Sequence, residues 1–112
     1  MRLMLDTSQI EFSVSRGAEP KTERDSQQQR TDKRTGLPLW LVQVIAEDPE
    51  GAEVIRVTVA SDQQPRLTKG QAAQIEGLEA IPWVQGERNG TAYRAKSIAQ
   101  QPASKTASQQ AA

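Results

Sequence analysis

The side chains able to do chemistry in this chain are few, and the missing types constrain function as much as those present. There is no cysteine and no histidine among its 112 residues. That excludes a thiol nucleophile, a thiolate metal site and a disulfide, together with the commonest base near neutral pH and the commonest metal ligand. What remains is 14 acidic and 14 basic side chains, one tyrosine and the hydroxyls. Carboxylates can hold Mg²⁺ or act as acid and base, but no spacing here groups them into such a site. No catalytic residue, metal or cofactor is therefore expected. Without a Walker-type phosphate loop, nucleotide hydrolysis would belong to a partner. The chain is expected to bind rather than to catalyse.

Binding of single-stranded nucleic acid needs cations for the backbone and aromatic rings on which bases stack. The aromatic residues are Phe12, Trp40, Trp83 and Tyr93. Phe12 alternates with polar neighbours and is expected in the core. Trp40 lies in a run that is apolar on both faces, so it is either a stacking platform or packed into the core or the barrel mouth. Trp83 follows Pro82 near the last turn and is a candidate stacking or lid residue. Tyr93 shares a segment with Arg94 and Lys96, and either contacts a base or serves as an amphipathic barrel residue.

The cations fall into three groups. Arg56 stands on a strand with Val54 and Thr58, opposite Ile55, Val57 and Val59. Arg94 and Lys96 are two apart, on one face of a strand, where they could extend a phosphate track. Arg88 sits in the last turn. Lys21, Arg24, Arg30, Lys33 and Arg34 lie in a polar stretch that also holds Glu23, Asp25 and Asp32, a local excess of two positive charges. They either close over a bound strand or form a solvated mixed-charge loop. The formal net charge is zero and the pI about 6.3, so only a local cluster can supply the field that phosphates require. Glu47, Asp48, Glu50 and Glu53 gather at another turn, which places any nucleic-acid groove at the opposite pole.

The elements that position these residues read as strands. Ile10, Phe12 and Val14 alternate with Glu11, Ser13 and Ser15 in a half-buried first strand, residues 8–17. Residues 20–36 contain no Val, Ile, Leu or aromatic residue and read as a long mobile loop. Leu37 to Ile45 and Val54 to Val59 predict strands at 37–47 and 52–60, joined by a turn around Pro49 and Gly51. An irregular crossing follows at Pro65 to Gly70. Ala72 to Val84 has some helical patterning, but Gly77 and Pro82 argue for a bent strand at 72–84. Asn89-Gly90 suggests a tight turn, with a last strand at 91–99. Residues 99–112, rich in Gln, Ala and Ser, read as a disordered tail.

Five strands in this rhythm predict an all-β, five-stranded, OB-fold-like barrel over residues 1–98. In that architecture the segments 20–36 and 86–90 flank the binding face. The stretch Thr31-Asp32-Lys33-Arg34-Thr35-Gly36-Leu37-Pro38-Leu39-Trp40, followed by Val42-Gln43-Val44, resembles small DNA-processing proteins of actinobacterial plasmids and integrative conjugative elements. It is more distantly similar to their single-stranded-DNA-binding helicase-processivity proteins, and Gly77-Leu78, Pro82-Trp83 and Tyr93-Arg94-Ala95 accord with the same group. The resemblance implies a non-catalytic role in DNA replication or conjugative transfer, through binding of single strands beside a helicase or relaxase. A protein adaptor that grips such a partner without touching DNA is the alternative, and neutral net charge favours it. Met1 to Asp6 is too short, and too soon interrupted by Asp6, Ser8, Gln9 and Glu11, for the apolar region of a signal peptide, and no apolar run is long enough to span a bilayer, so a cytoplasmic protein is expected.

Overall fold

The computed structural model describes residues 2–22 and 28–100. Short runs of β-branched and aliphatic residues, bounded by turn formers, set the local structure. The described residues form eight strands and no helix: β1 (Leu3–Met4), β2 (Glu11–Pro20), β3 (Leu39–Asp48), β4 (Gly51–Ala60), β5 (Ala72–Glu76), β6 (Glu79–Gln85), β7 (Arg88–Ala95) and β8 (Ser97–Gln100). They make one sheet in the order β1-β6-β7-β4-β3-β2-β5-β8. All pairings are antiparallel except that of β4 with β7.

The expected five strands thus become eight. The span 72–84 breaks at Gly77-Leu78, where Gly77 takes φ +64° and turns the chain sharply. The span 91–99 breaks at Lys96, whose N–H donates to the Glu76 carbonyl at 2.9 Å. Leu3–Met4 adds a short edge strand beside β6. Each break redirects the chain without ending it, so β8 at one end of the sheet continues β7 near the other. The sheet accordingly curls into a half-barrel. Register shifts on either side of Arg16 in β2 add to the bend, because a bulged strand twists more strongly than a regular one.

The concave side holds the core, with Phe12, Val14, Val42, Val44, Ile55, Val57, Ile75, Leu78 and Ile98 packed together. Val14, Val42, Val44 and Val57 are the largest fully buried side chains, each contributing roughly 1.5–3 kcal/mol relative to exposure. The β3–β4 turn falls at Pro49-Glu50, with Asp48 Oδ1 accepting from the N–H groups of Glu50 and Gly51 at 2.8 and 3.1 Å. The last hairpin turns at Gly86-Glu87, not at the expected Asn89-Gly90. Gly86 has φ +63° and Glu87 a negative φ, the pattern of a type II′ turn. Gly90 instead lies within β7 opposite Trp83, whose indole lies so close that a Cβ there would be 2.6 Å from Cζ2.

The described part of the stretch read as a long mobile loop is tied down. Lys21 N–H donates to the Leu39 carbonyl, Arg30 N–H to that of Lys21, and Leu39 N–H to that of Arg30, at 3.0, 2.7 and 2.9 Å. A bridge between Thr22 and Gln29 and another between Thr31 and Pro38 continue the pairing. Arg24 lies outside the described residues. So does 101–112 of the expected tail, while Ala99 and Gln100 belong to β8. No helix among the described residues is long and apolar enough to cross a membrane.

Candidate functional site

Strand alternation gives the sheet a second, convex surface. Opposite the core residues, β3 and β4 present Leu41 beside Thr58, Gln43 beside Arg56 and Ile45 beside Val54. Parallel pairing sets Arg94 of β7 next to Thr58. The β6–β7 hairpin extends this face outward through Glu79 beside Arg94, Ile81 beside Ala92 and Trp83 beside Gly90. Arg56, Thr58, Arg94 and Trp83 therefore belong to one surface, although they come from three strands.

Residues 28–38 form a strap across one end of that surface. Its centre is Asp32, only 7% exposed. The Asp32 carboxylate accepts from Arg34 N–H at 3.2 Å and from the Thr35 hydroxyl at 3.0 Å, and pairs with the Arg94 guanidinium at 2.9 Å. Its backbone closes the same turn, with Asp32 N–H donating to Leu37 and Gly36 N–H to Asp32. These contacts, led by the Arg34 N–H, hold the carboxyl below its ordinary range against the opposing effect of burial. Leu39 is buried outside the main core, next to this strap, and its carbonyl also accepts from Gln29 Nε2 at 2.8 Å.

Lys21 lies at the foot of the strap and reaches the Thr58 hydroxyl, with Nζ at 3.0 Å. Its proton affinity is pushed down first by desolvation and then by the like charges of Arg30 and Arg94. Three cations thus lie near one another, of which Arg94 alone is paired with the Asp32 carboxylate. A cluster of cations of this kind can hold an oxyanion.

The predicted residues divide by position. Arg56 is exposed on the convex face, forms no ion pair among the described residues, and lines a shallow recess with Arg16, Glu19, Leu41 and Gln43. Arg30, Lys33 and Arg34 are exposed on the strap, and Arg88 at the hairpin tip. Trp83 is 39% exposed on the hairpin. Trp40 and Tyr93 instead pack against the core, half-buried, and the Trp40 indole N–H donates to the Ser61 carbonyl at 3.0 Å. Of the alternatives open to these two rings, the structure takes packing, which removes both from the surface of Arg56 and Arg94. Lys96 is also displaced from its expected place: it falls in the bend between β7 and β8 beside Gly77, so it does not continue a track along one strand with Arg94.

The chain matches no protein-family model, no curated protein and no solved structure. Sequence reasoning passed over Asp32 and Thr58, the two residues that organise the cations. The signal for Asp32 was present in Thr31-Asp32-x-x-Thr35-Gly36, since Asp and Thr side chains characteristically close turns on nearby backbone N–H groups. Thr58 carried none, because a threonine on an outward strand face is ordinary. Among the described residues no group of acidic side chains is arranged to hold a metal ion.

Proposed function

We propose that this protein is a cytoplasmic, non-catalytic accessory protein that binds single-stranded DNA on an OB-fold-like barrel and serves replication or conjugative transfer of a mobile element. The fold reading is supported by the connections. If β5 with β6 and β7 with β8 are each taken as one bent strand, β2, β3 and β4 form a meander, β4 runs parallel to β7, and β2 pairs with β5. Those pairings support a five-stranded Greek-key barrel. The mobile-element role rests on the sequence resemblance.

One observation carries the binding reading: the convex face of β3, β4 and β7 bears Arg56 and Arg94 and lies between a cationic strap and a protruding hairpin with Trp83 and Arg88. A strand laid across it would meet phosphate partners along the sheet and one ring on which a base can stack. Few rings and no base-reading helix favour sequence-tolerant binding over recognition of a defined site. Fluorescence anisotropy with single-stranded and duplex oligonucleotides at several salt concentrations tests this. Salt-sensitive preference for single strands, weakened by Arg56→Gln, is expected; equal affinity for duplex, or no affinity at low salt, would reject it.

A second reading has its own observation. Leu3, Met4, Trp83 and Val84 are large apolar side chains left exposed on β1 and β6, Val84 at 79%. Alternation puts Met4 and Trp83 on one face of that edge and Leu3 and Val84 on the other, and a protein adaptor for a helicase, relaxase or coupling protein would use such exposed apolar side chains. Capture of one of these proteins that survives nuclease treatment and is lost in Val84→Ser, without DNA affinity, would select it.

A further inference from the structure

We propose that Lys21, Arg30 and Arg94 form a phosphate-binding site at the strap end of the convex face, with the Thr58 hydroxyl as a neutral partner. The occupant is a backbone phosphodiester of a bound single strand. That identity rests on the DNA-binding reading above, whereas the oxyanion chemistry is shared with a free phosphate ion and does not depend on it.

The geometry brings the three cations together from separate parts of the chain. Lys21 follows the end of β2, and its ammonium is 3.0 Å from Thr58 Oγ1 on β4. Thr58 lies in register with Arg94 on β7. Arg30 returns on the strap, where its backbone N–H donates to the Lys21 carbonyl at 2.7 Å, and its exposed guanidinium is near enough to act on the Lys21 ammonium. The carboxylate in the group, Asp32, is committed to Arg94, Thr35 and the Arg34 N–H. Lys21 is left with a hydroxyl as its described partner, although an ammonium carries three donors.

Among the described residues no carboxylate pairs with Lys21, and a half-buried ammonium in that state is unfavourable, the more so beside two guanidinium groups. A structural tether would not need such a charge, since a neutral donor could reach Thr58 at lower cost. An incoming oxyanion reverses the balance: it supplies the missing counter-charge, and Lys21 and Arg30 offer charge-assisted hydrogen bonds that are roughly twice as strong as neutral ones. Arg94 is held in place by Asp32, so little ordering cost falls on it when the ligand arrives.

The test uses the full chain, inorganic phosphate and a short oligothymidylate. NMR titration with inorganic phosphate at fixed ionic strength should shift the Lys21, Arg30 and Thr58 amides saturably in the wild type and not in Lys21→Met. In anisotropy, Lys21→Met and the surface variant Arg30→Gln should each weaken the oligonucleotide about tenfold, as for loss of a charge-assisted bond. Each should also reduce the salt slope by about 0.7, as expected per phosphate contact on a single strand. Arg30→Gln keeps the experiment informative if Lys21→Met fails to fold. If the wild type binds the oligonucleotide while both folded variants match its affinity and slope, the site is rejected and the DNA reading stands. If the wild type binds no oligonucleotide but shows the Lys21-dependent phosphate shifts, the site stands with free phosphate as its occupant and the DNA reading fails. Absence of saturable phosphate shifts in the wild type, with unchanged slopes, overturns the proposal.

Discussion

Asp32 connects two separate parts of the molecule through a single carboxylate. It closes the strap turn on Arg34 and Thr35 and anchors that turn to Arg94 of β7. Its carboxyl titrates below the ordinary range when folded, so the ionised form stabilises the fold. That contribution is complete above the unfolded value, about pH 4, and is lost as pH falls through the lower folded value. Asp32→Asn should therefore melt at a lower temperature than the wild type at pH 7, with the two melting curves converging as pH falls below about 4. Thermal melts between neutral and strongly acidic pH check this; a constant gap would show that Asp32 acts through packing rather than charge. Gly90 is constrained differently. A Cβ placed there would lie 2.6 Å from the Trp83 ring, so Gly90→Ala must displace the indole. A loss of roughly 1–3 kcal/mol is expected, as for other overpacked sites, together with a shift in tryptophan emission toward that of a more solvated ring.

At the level of elements, the sequence disclosed strands better than it disclosed their breaks. Alternation in Phe12 to Ser15 and the β-branched run in Val54 to Val59 located β2 and β4 directly, because a half-buried strand writes its two faces into the chain. Leu39 to Ile45 was ambiguous for a physical reason. Val42 and Val44 face the core, while Leu39 is buried on the other side next to the strap, so both faces are apolar and periodicity cannot rank them. Residues 20–36 looked unable to order because they offer no Val, Ile, Leu or aromatic residue; their described part is held by backbone ladder bonds and Asp32, which composition does not register. The fracture of the last two spans was half legible. Gly77 advertised a bend, and its φ of +64° confirms the need for glycine. The Lys96 break had no local signal, since it follows from the Glu76 contact across the sheet. Gly77→Ala tests how far this bend is required. An alanine there adopts a left-handed conformation at a cost of about 1–2 kcal/mol, and its Cβ would sit 3.0 Å from that of Lys96. A lower denaturation midpoint with an unchanged m-value is the expected result; a changed m-value would mean that the β5–β6 corner had reorganised.

For the molecule as a whole, a net charge of zero conceals a strong separation of sign. Glu47, Asp48, Glu50 and Glu53 cluster around the β3–β4 turn, where Glu11 also pairs with Glu47. Lys21, Arg30 and Arg94 gather near Thr58, toward the other end of β4. From Gly51 to Thr58 the strand runs about 23 Å at its usual rise. That exceeds the Debye length of about 10 Å at 0.1 M salt but not the roughly 30 Å at 0.01 M. On the proposed DNA-binding reading, the acidic turn would therefore oppose an approaching strand only when salt is low, and without touching the proposed contacts. Glu50→Lys with Glu53→Lys should raise the association rate for a single-stranded oligonucleotide several-fold at about 0.01 M salt and leave it near the wild-type value at about 0.1 M, while the dissociation rate stays constant throughout. Stopped-flow association at the two ionic strengths measures both quantities. A rate gain that persists at the higher salt would place the β3–β4 turn in direct contact with DNA and move the interface to the opposite pole. No gain at either salt would mean that the two poles do not share a ligand, which is the behaviour expected of a protein adaptor.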